Sequence, residues 1–291
     1  MDKNHGKSLA MLIGSMLIFG SIGIFRRYIP LSSGMLACTR GLLGGIFLLA
    51  VAAVKGKSFK FKSSRRQFIT LCITGAAIGV NWMLLFESYN YTSIAVSTLC
   101  YYMQPAMVIL LSPIFFKEKL TVKKLVCVFI SVLGIALVSG ITDVSSIGLS
   151  DMKGMLFGLG AAVCYSAVVI LNKKNNVEDM YGKTIVQLLS AAIVLFPYIF
   201  LTEKIDGTSL DATSVILIII MGILHTGVGY ALYFGSMNSL KSQTVAIMSY
   251  IDPVFAIILS AAVLKERMTV FSVLGAVMVI GAAIVSEIDN E

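Results

Sequence analysis

Residues 79–122 recur, without a gap, as residues 227–270. The offset is 148 positions throughout, and 15 of the 44 aligned pairs are identical, among them Gly79/Gly227, Tyr102/Tyr250, Pro105/Pro253, Ser112/Ser260 and Lys117–Glu118/Lys265–Glu266. Shared apolar composition alone would give about three to five matches over that length. The chain is therefore read as two copies of one unit, over residues 1–145 and 146–291. A repeat of this kind constrains the fold before any single helix is assigned.

What the unit is made of follows from composition. Hydrophobic residues make up 57% of the 291, charged residues only 13%, and the mean hydropathy is +0.91. A soluble domain carries about 25% charge and cannot hide this much apolar surface in a core. The apolar runs are long enough to cross a bilayer, whose hydrocarbon core needs about 20 helical residues. Splitting at charges and turn residues predicts ten helices: 8–25, 31–54, 67–89, 92–115, 124–142, 152–172, 183–201, 213–235, 242–264 and 270–286. Helices are required because lipid cannot satisfy an open strand's backbone. The runs do not alternate as barrel strands would. Lys3 and Lys7 precede an apolar run, but Arg26 and Arg27 follow it without a small-residue cleavage site, so a retained first helix is expected rather than a signal peptide.

The net charge of +8 is explained by topology, not by nucleic acid. With the N-terminus inside, 16 Lys and Arg fall in cytoplasmic segments and 6 outside. That asymmetry predicts a multi-pass plasma (inner) membrane protein with both termini cytoplasmic. Five helices per copy is an odd number, so the second copy enters the membrane upside down. Inverted-topology repeats are typical of secondary transporters. The five cysteines lie in apolar runs without CxxC spacing, and His5 and His225 are far apart. No metal and no cofactor are expected.

An ionisable group inside a span by default faces a protein interior or a water-filled cavity. Asp252, just before Pro253, is the foremost, and its repeat twin is Gln104, just before Pro105. Proline removes a backbone donor, so Pro105 and Pro253 mark expected helix breaks. Polar groups beside such breaks form midplane substrate sites. His225 is expected either to bond substrate or carry a proton, or to make a neutral interhelical hydrogen bond. Arg40 and Glu87, with Asp252, are the expected charge pair or proton-coupling groups. Asn81, Trp82, Tyr101, Tyr102, Tyr230, Tyr233 and Tyr250 lie at the same level, and aromatic faces beside a carboxylate can hold an ammonium group.

The stretch FESYNYTSIAVSTLCYYMQP with LLSPIFFKEKLT, its echo YFGSMNSLKSQTVAIMSYIDP with LKERMT, and TRGLLGGIFLL of the second span together resemble the EamA-type members of the drug/metabolite transporter superfamily. The resemblance covers nearly the whole chain. It implies ten helices in two inverted five-helix repeats, a central pocket and alternating access. It implies a substrate among amino acids, other metabolites, nucleotide-related compounds and quaternary amines, often moved outward; the expected function is secondary export of a small polar or cationic metabolite such as an amino acid or amine. The expected partners are that substrate, the lipid bilayer and a proton or other coupling ion, with monomer or homodimer left open. Import of a quaternary amine, a channel and a lipid scramblase are the competing expectations. An intramembrane enzyme is disfavoured, because Glu87, His225 and Asp252 sit on separate helices without an adjacent activating partner. No Walker sequence is present to couple ATP directly.

Overall fold

The computed structural model describes residues 3–26, 28–55, 64–92, 94–138, 148–203, 210–265 and 269–287. Arg27, Lys57, Lys60, Lys62, Lys204, Glu266 and Arg267, all used in the charge reading or the repeat, lie outside them. Among the described residues every regular element is helical. The first half holds α1 (Lys3–Gly20), α2 (Ile22–Arg26), α3 (Ser33–Val54), α4 (Arg65–Ser88), α5 (Ile94–Tyr101), α6 (Met103–Phe116) and α7 (Val122–Val138). The second holds α8 (Leu149–Asn175), α9 (Met180–Thr202), α10 (Ala212–Ile220), a π-helical stretch (Met221–Val228), α11 (Gly229–Ser236), α12 (Ser242–Met248), α13 (Ile251–Leu264) and α14 (Val270–Glu287).

Among the described residues, eight stretches are long and apolar enough to cross a membrane. The fifth and tenth predicted spans correspond to shorter helices, α7 and α14, and residues 139–142 of the fifth lie outside the described part. Side chains cap several helix starts, satisfying amides that have no partner within the helix. Ser32 accepts from the Met35 amide at α3, and Ser64 with Gln67 closes a capping box at α4. Asp211 accepts from the Ser214 side chain and amide at α10, which holds its carboxyl below the usual aspartate range.

Three spans are interrupted. α1 gives way to α2 at Ser21, α5 to α6 at Tyr102, and α12 to α13 at Ser249–Tyr250. Pro105 and Pro253 are each the third residue of the helix that follows the break, where a missing amide proton costs nothing. Both α6 and α13 end on a lysine in the left-handed region, Lys117 at φ 56° and Lys265 at φ 55°. The repeat seen in sequence thus extends to backbone detail.

Packing follows the same correspondence. α8 lies against α4 and α6, as α1 lies against α11 and α13; α4 lies against α9, as α3 lies against the π-helical stretch. The pairs α3–α9 and α7–α14 join corresponding helices of the two halves, and α6–α12 joins the corresponding fourth and ninth spans. The α3–α9 pair is fastened at both ends. Glu203, just past α9, accepts from the Ser32 hydroxyl and from the Gly34 and Met35 amides at 2.5–3.1 Å, placing a carboxylate on the positive end of α3. At the opposite end Lys55 donates to the Tyr181 hydroxyl at 2.9 Å.

Large apolar side chains such as Ile114, Phe129, Phe196, Val277 and Phe271 stand exposed on the outside of the bundle, whereas small polar residues are buried inside it. That inversion suits a solvent that is itself apolar, where small residues let helices approach closely. Gly75 marks one such approach: a Cβ there would stand 2.5 Å from the Gln187 carbonyl oxygen and 2.6 Å from Ser190 Cβ. Gly75→Ala is expected to push α4 off α9, destabilising by about 1–3 kcal/mol. Its melting temperature in detergent should fall by several degrees; an unchanged melt would contradict the packing described.

Candidate functional site

The helix breaks converge on one cavity of about 410 Å³. Its walls come from α1, α2, α3, α4, α5, α6, α8, α11 and α13, so both halves of the chain build it. From the break in the fourth span come Tyr101, Tyr102 and Gln104, and from the corresponding break in the ninth Ser249 and Asp252. Arg40 enters from α3, and Trp82 from α4.

Helix geometry explains which expected residues arrive. Successive residues on a helix point about 100° apart. Trp82 therefore faces the cavity, while Asn81, fully buried, turns the other way and donates to the Ala161 carbonyl at 2.7 Å, tying α4 to α8. Tyr250 turns into a separate apolar cluster with Ile135, Val254 and Val279. His225 is also fully buried away from the lining: its Nε2 meets Ser21 Oγ at 2.9 Å and its ring meets Phe25 edge-on at 4.7 Å. Glu87 lies near the far end of α4 and accepts from Asn90 at 3.1 Å. Arg40 meets neither Glu87 nor Asp252 as its nearest feature; its guanidinium lies over the Trp82 ring, 4.4 Å from the centroid.

The aromatic lining is continuous. Ring centroids link Trp82 to Tyr230 (6.2 Å), Tyr230 to Phe19 (5.1 Å), Phe19 to Tyr233 (6.1 Å), Tyr233 to Tyr165 (6.3 Å), Tyr165 to Tyr101 (6.2 Å) and Tyr101 to Tyr102 (5.7 Å). Arg40 stands at the Trp82 end of this chain. Asp252 stands at the other, as a side-chain hydrogen-bond partner of Tyr102. Sequence reading missed Phe19 and Tyr165. The available signal for Tyr165 was a lone large polar-tipped ring in a span otherwise rich in Gly, Ala and Val.

Three buried polar groups of the cavity's lining residues lack partners among the described residues: Arg40 Nε, Gln104 Nε2 and the Tyr233 hydroxyl. A buried donor left unpaired costs about 1–3 kcal/mol, so such groups normally face a ligand or water. The site thus offers a fixed positive charge at Arg40, a carboxylate at Asp252, an unpaired amide donor at Gln104, and aromatic faces beside them.

The EamA-like transporter family model matches residues 6–140 and, a second time, 152–287. The chain belongs to this family. The double match falls on the two halves related by the 148-residue offset. A relative from Bacillus subtilis (strain 168), the uncharacterized transporter YxxF, is 31% identical over 278 residues, covering 96% of this chain and 88% of the relative. An uncharacterized transporter of Clostridium kluyveri is 25% identical over 257 residues, covering 86% and 82%. A solved crystal structure of another protein matches with a TM-score of 0.85 across 97% of this chain and 96% of the other, at 15% identity, which speaks for the fold alone. This EamA-like protein is therefore a multi-pass membrane transporter with a small-molecule substrate.

Proposed function

We propose that the protein is a secondary active transporter, working outward, for a small metabolite that carries a positive and a negative group, such as an amino acid. The single observation behind this reading is one cavity holding Asp252 and Arg40 in separate places, each without the other as partner. An ammonium group would sit at Asp252 against the faces of Tyr101 and Tyr102. A carboxylate would meet Arg40, since a guanidinium presents several donors in a fixed plane. The cavity volume is in the range of small-ligand sites.

In this reading the ten helices form two inverted five-helix repeats that rock about the α3–α9 pair. With both termini cytoplasmic, the cavity faces outward: its lining reaches Arg26, Ser33 and Tyr89 at the end of the bundle away from the N-terminus. At the cytoplasmic end the halves are clasped. The Ser242 amide and hydroxyl donate to Glu118 at 2.9 Å each, and the Gln243 amide donates at 3.3 Å. Gln243 also bonds Ser112 at 2.5 Å and accepts from Lys124. Opening inward requires these cross-repeat bonds to break, so they act as the inner gate.

Glu118→Ala should therefore shift the resting protein toward the inward-open state. Hydrogen bonds to a charged group are worth about 1.5–3 kcal/mol, so labelling of Ser249→Cys from the cytoplasmic face should accelerate roughly tenfold or more. Labelling at the wild-type rate would count against the gate. Proton coupling, where it exists, is assigned to Asp252 as the carboxylate within the cavity. The competing reading is an importer of a quaternary amine, favoured by the aromatic chain around Asp252. Flux assays with Arg40 variants separate the two, because an amine without a carboxylate has no use for the guanidinium.

A further inference from the structure

We infer that His225 is a positioning residue: it pins the hinge between α1 and α2 and so holds α2 across the outer part of the cavity. The deduction rests on the role assigned to the cavity above and adds how its wall is set. Ile22, Gly23 and Arg26 of α2 line the cavity. This helix has only five residues; its Ile22 and Phe25 are partly buried against Ile29, Leu36 and Met221, and the hinge before it sets its direction.

Two contacts fix the hinge. In one, Gly20 lies so close to α13 that a Cβ would stand 2.6 Å from the Asp252 carbonyl oxygen and 3.2 Å from the Ala256 amide. In the other, Ser21 meets His225. The Ser21 hydroxyl donates to the Ile18 carbonyl at 2.7 Å. The same Oγ hydrogen-bonds His225 Nε2 at 2.9 Å, the imidazole tautomer deciding which of the two donates. The same imidazole packs edge-on against Phe25, within α2 itself. One side chain therefore grips both the hinge and the segment that swings from it.

The sequence spends an irregularity to place that imidazole. His225 lies in the π-helical stretch Met221–Val228, where one turn is wider than the helix on either side. Such single-turn departures from α geometry are often found at functional sites. The fully buried imidazole is closed off from the cavity, and so it acts on substrate through α2.

The test is accessibility of α2, which does not depend on knowing the substrate. A Cβ at Gly23 meets nothing within 4 Å, so Gly23→Cys on a background lacking the five native cysteines gives a steric-free reporter in the cavity wall. Its labelling by a membrane-impermeant maleimide from outside is measured in four forms: otherwise unchanged, His225→Leu, His225→Gln and Ser21→Ala. Loss of one neutral hydrogen bond is expected to raise the rate about three- to tenfold in His225→Leu and in Ser21→Ala. His225→Gln keeps an Nε2 donor and should label close to the unchanged rate. Combining Ser21→Ala with His225→Leu should add little to either alone. If His225→Leu fails to fold, Ser21→Ala against His225→Gln carries the comparison. Equal labelling in all well-folded forms overturns the inference, as does His225→Gln labelling as fast as His225→Leu. Either result leaves the transport reading standing, and loss of transport with the labelling pattern intact would do the reverse.

Discussion

Asp252→Asn is expected to lower apparent substrate affinity roughly 10- to 150-fold, the range for a hydrogen bond to a charged group. The substitution keeps the size of the side chain and its contact with Tyr102 while removing the negative charge. Its effect should extend to every substrate with an ammonium group, whether or not it carries a carboxylate. The fold should tolerate it, because Asp252 is half-buried in a cavity rather than packed in a core. A melt near that of wild type with a large loss of binding is the expected pair of results. Wild-type affinity in Asp252→Asn would remove the carboxylate from the binding site.

Arg40→Gln is the second large effect, and it has a different signature. Removing the guanidinium costs the site its only cavity-lining cation on α3 and its stack on Trp82. Binding of a substrate with a carboxylate should weaken by a similar roughly 10- to 150-fold. Binding of the matching amine, decarboxylated, should change little. Arg40→Lys should recover only part of the loss, because an ammonium lacks the planar fork that fits a carboxylate and stacks on a ring. Equal losses for the acid and the amine would make Arg40 a structural prop for Trp82 and favour the quaternary-amine reading. Isothermal titration or a thermal-shift series with paired amino acids and amines would read both variants.

The contrast between these residues and their neighbours shows what a sequence of this kind reveals. Long apolar runs and a 148-residue offset are coarse, redundant signals. They survive any local irregularity, and the helices and the pairing of Tyr102–Pro105 with Tyr250–Pro253 were legible from them. The direction of one side chain is a finer matter. Trp82 and Asn81 are adjacent in sequence, yet 100° of helical rotation sends one to the cavity and the other to the Ala161 carbonyl. Tyr102 lines the cavity and its twin Tyr250 does not, because each sits in a turn where the rotation is set by the packing of neighbours. The hinge before the five-residue α2 and the π-helical stretch around His225 lie inside apolar runs that read simply as helix. Arg40 was legible as a buried charge needing a partner, but the partner is an aromatic face rather than Glu87 or Asp252.

The differences between the two copies now have places in the structure. Gln104 and Asp252 are twins that both reach the cavity, one neutral donor and one carboxylate. A duplicated scaffold with unequal polar groups can recognise a substrate whose two ends differ. The identical residues, among them Pro105/Pro253 and the Lys117/Lys265 caps, shape the backbone around it.

The most direct test of this account is counterflow in proteoliposomes loaded with unlabelled amino acids and supplied with labelled ones outside. A carrier that alternates access about one site should give a transient, saturable accumulation of label in wild-type vesicles, with the overshoot lost in Asp252→Asn. Non-saturable equilibration without an overshoot, unaffected by Asp252→Asn, would show a pore or a scramblase instead and contradict alternating access around this cavity.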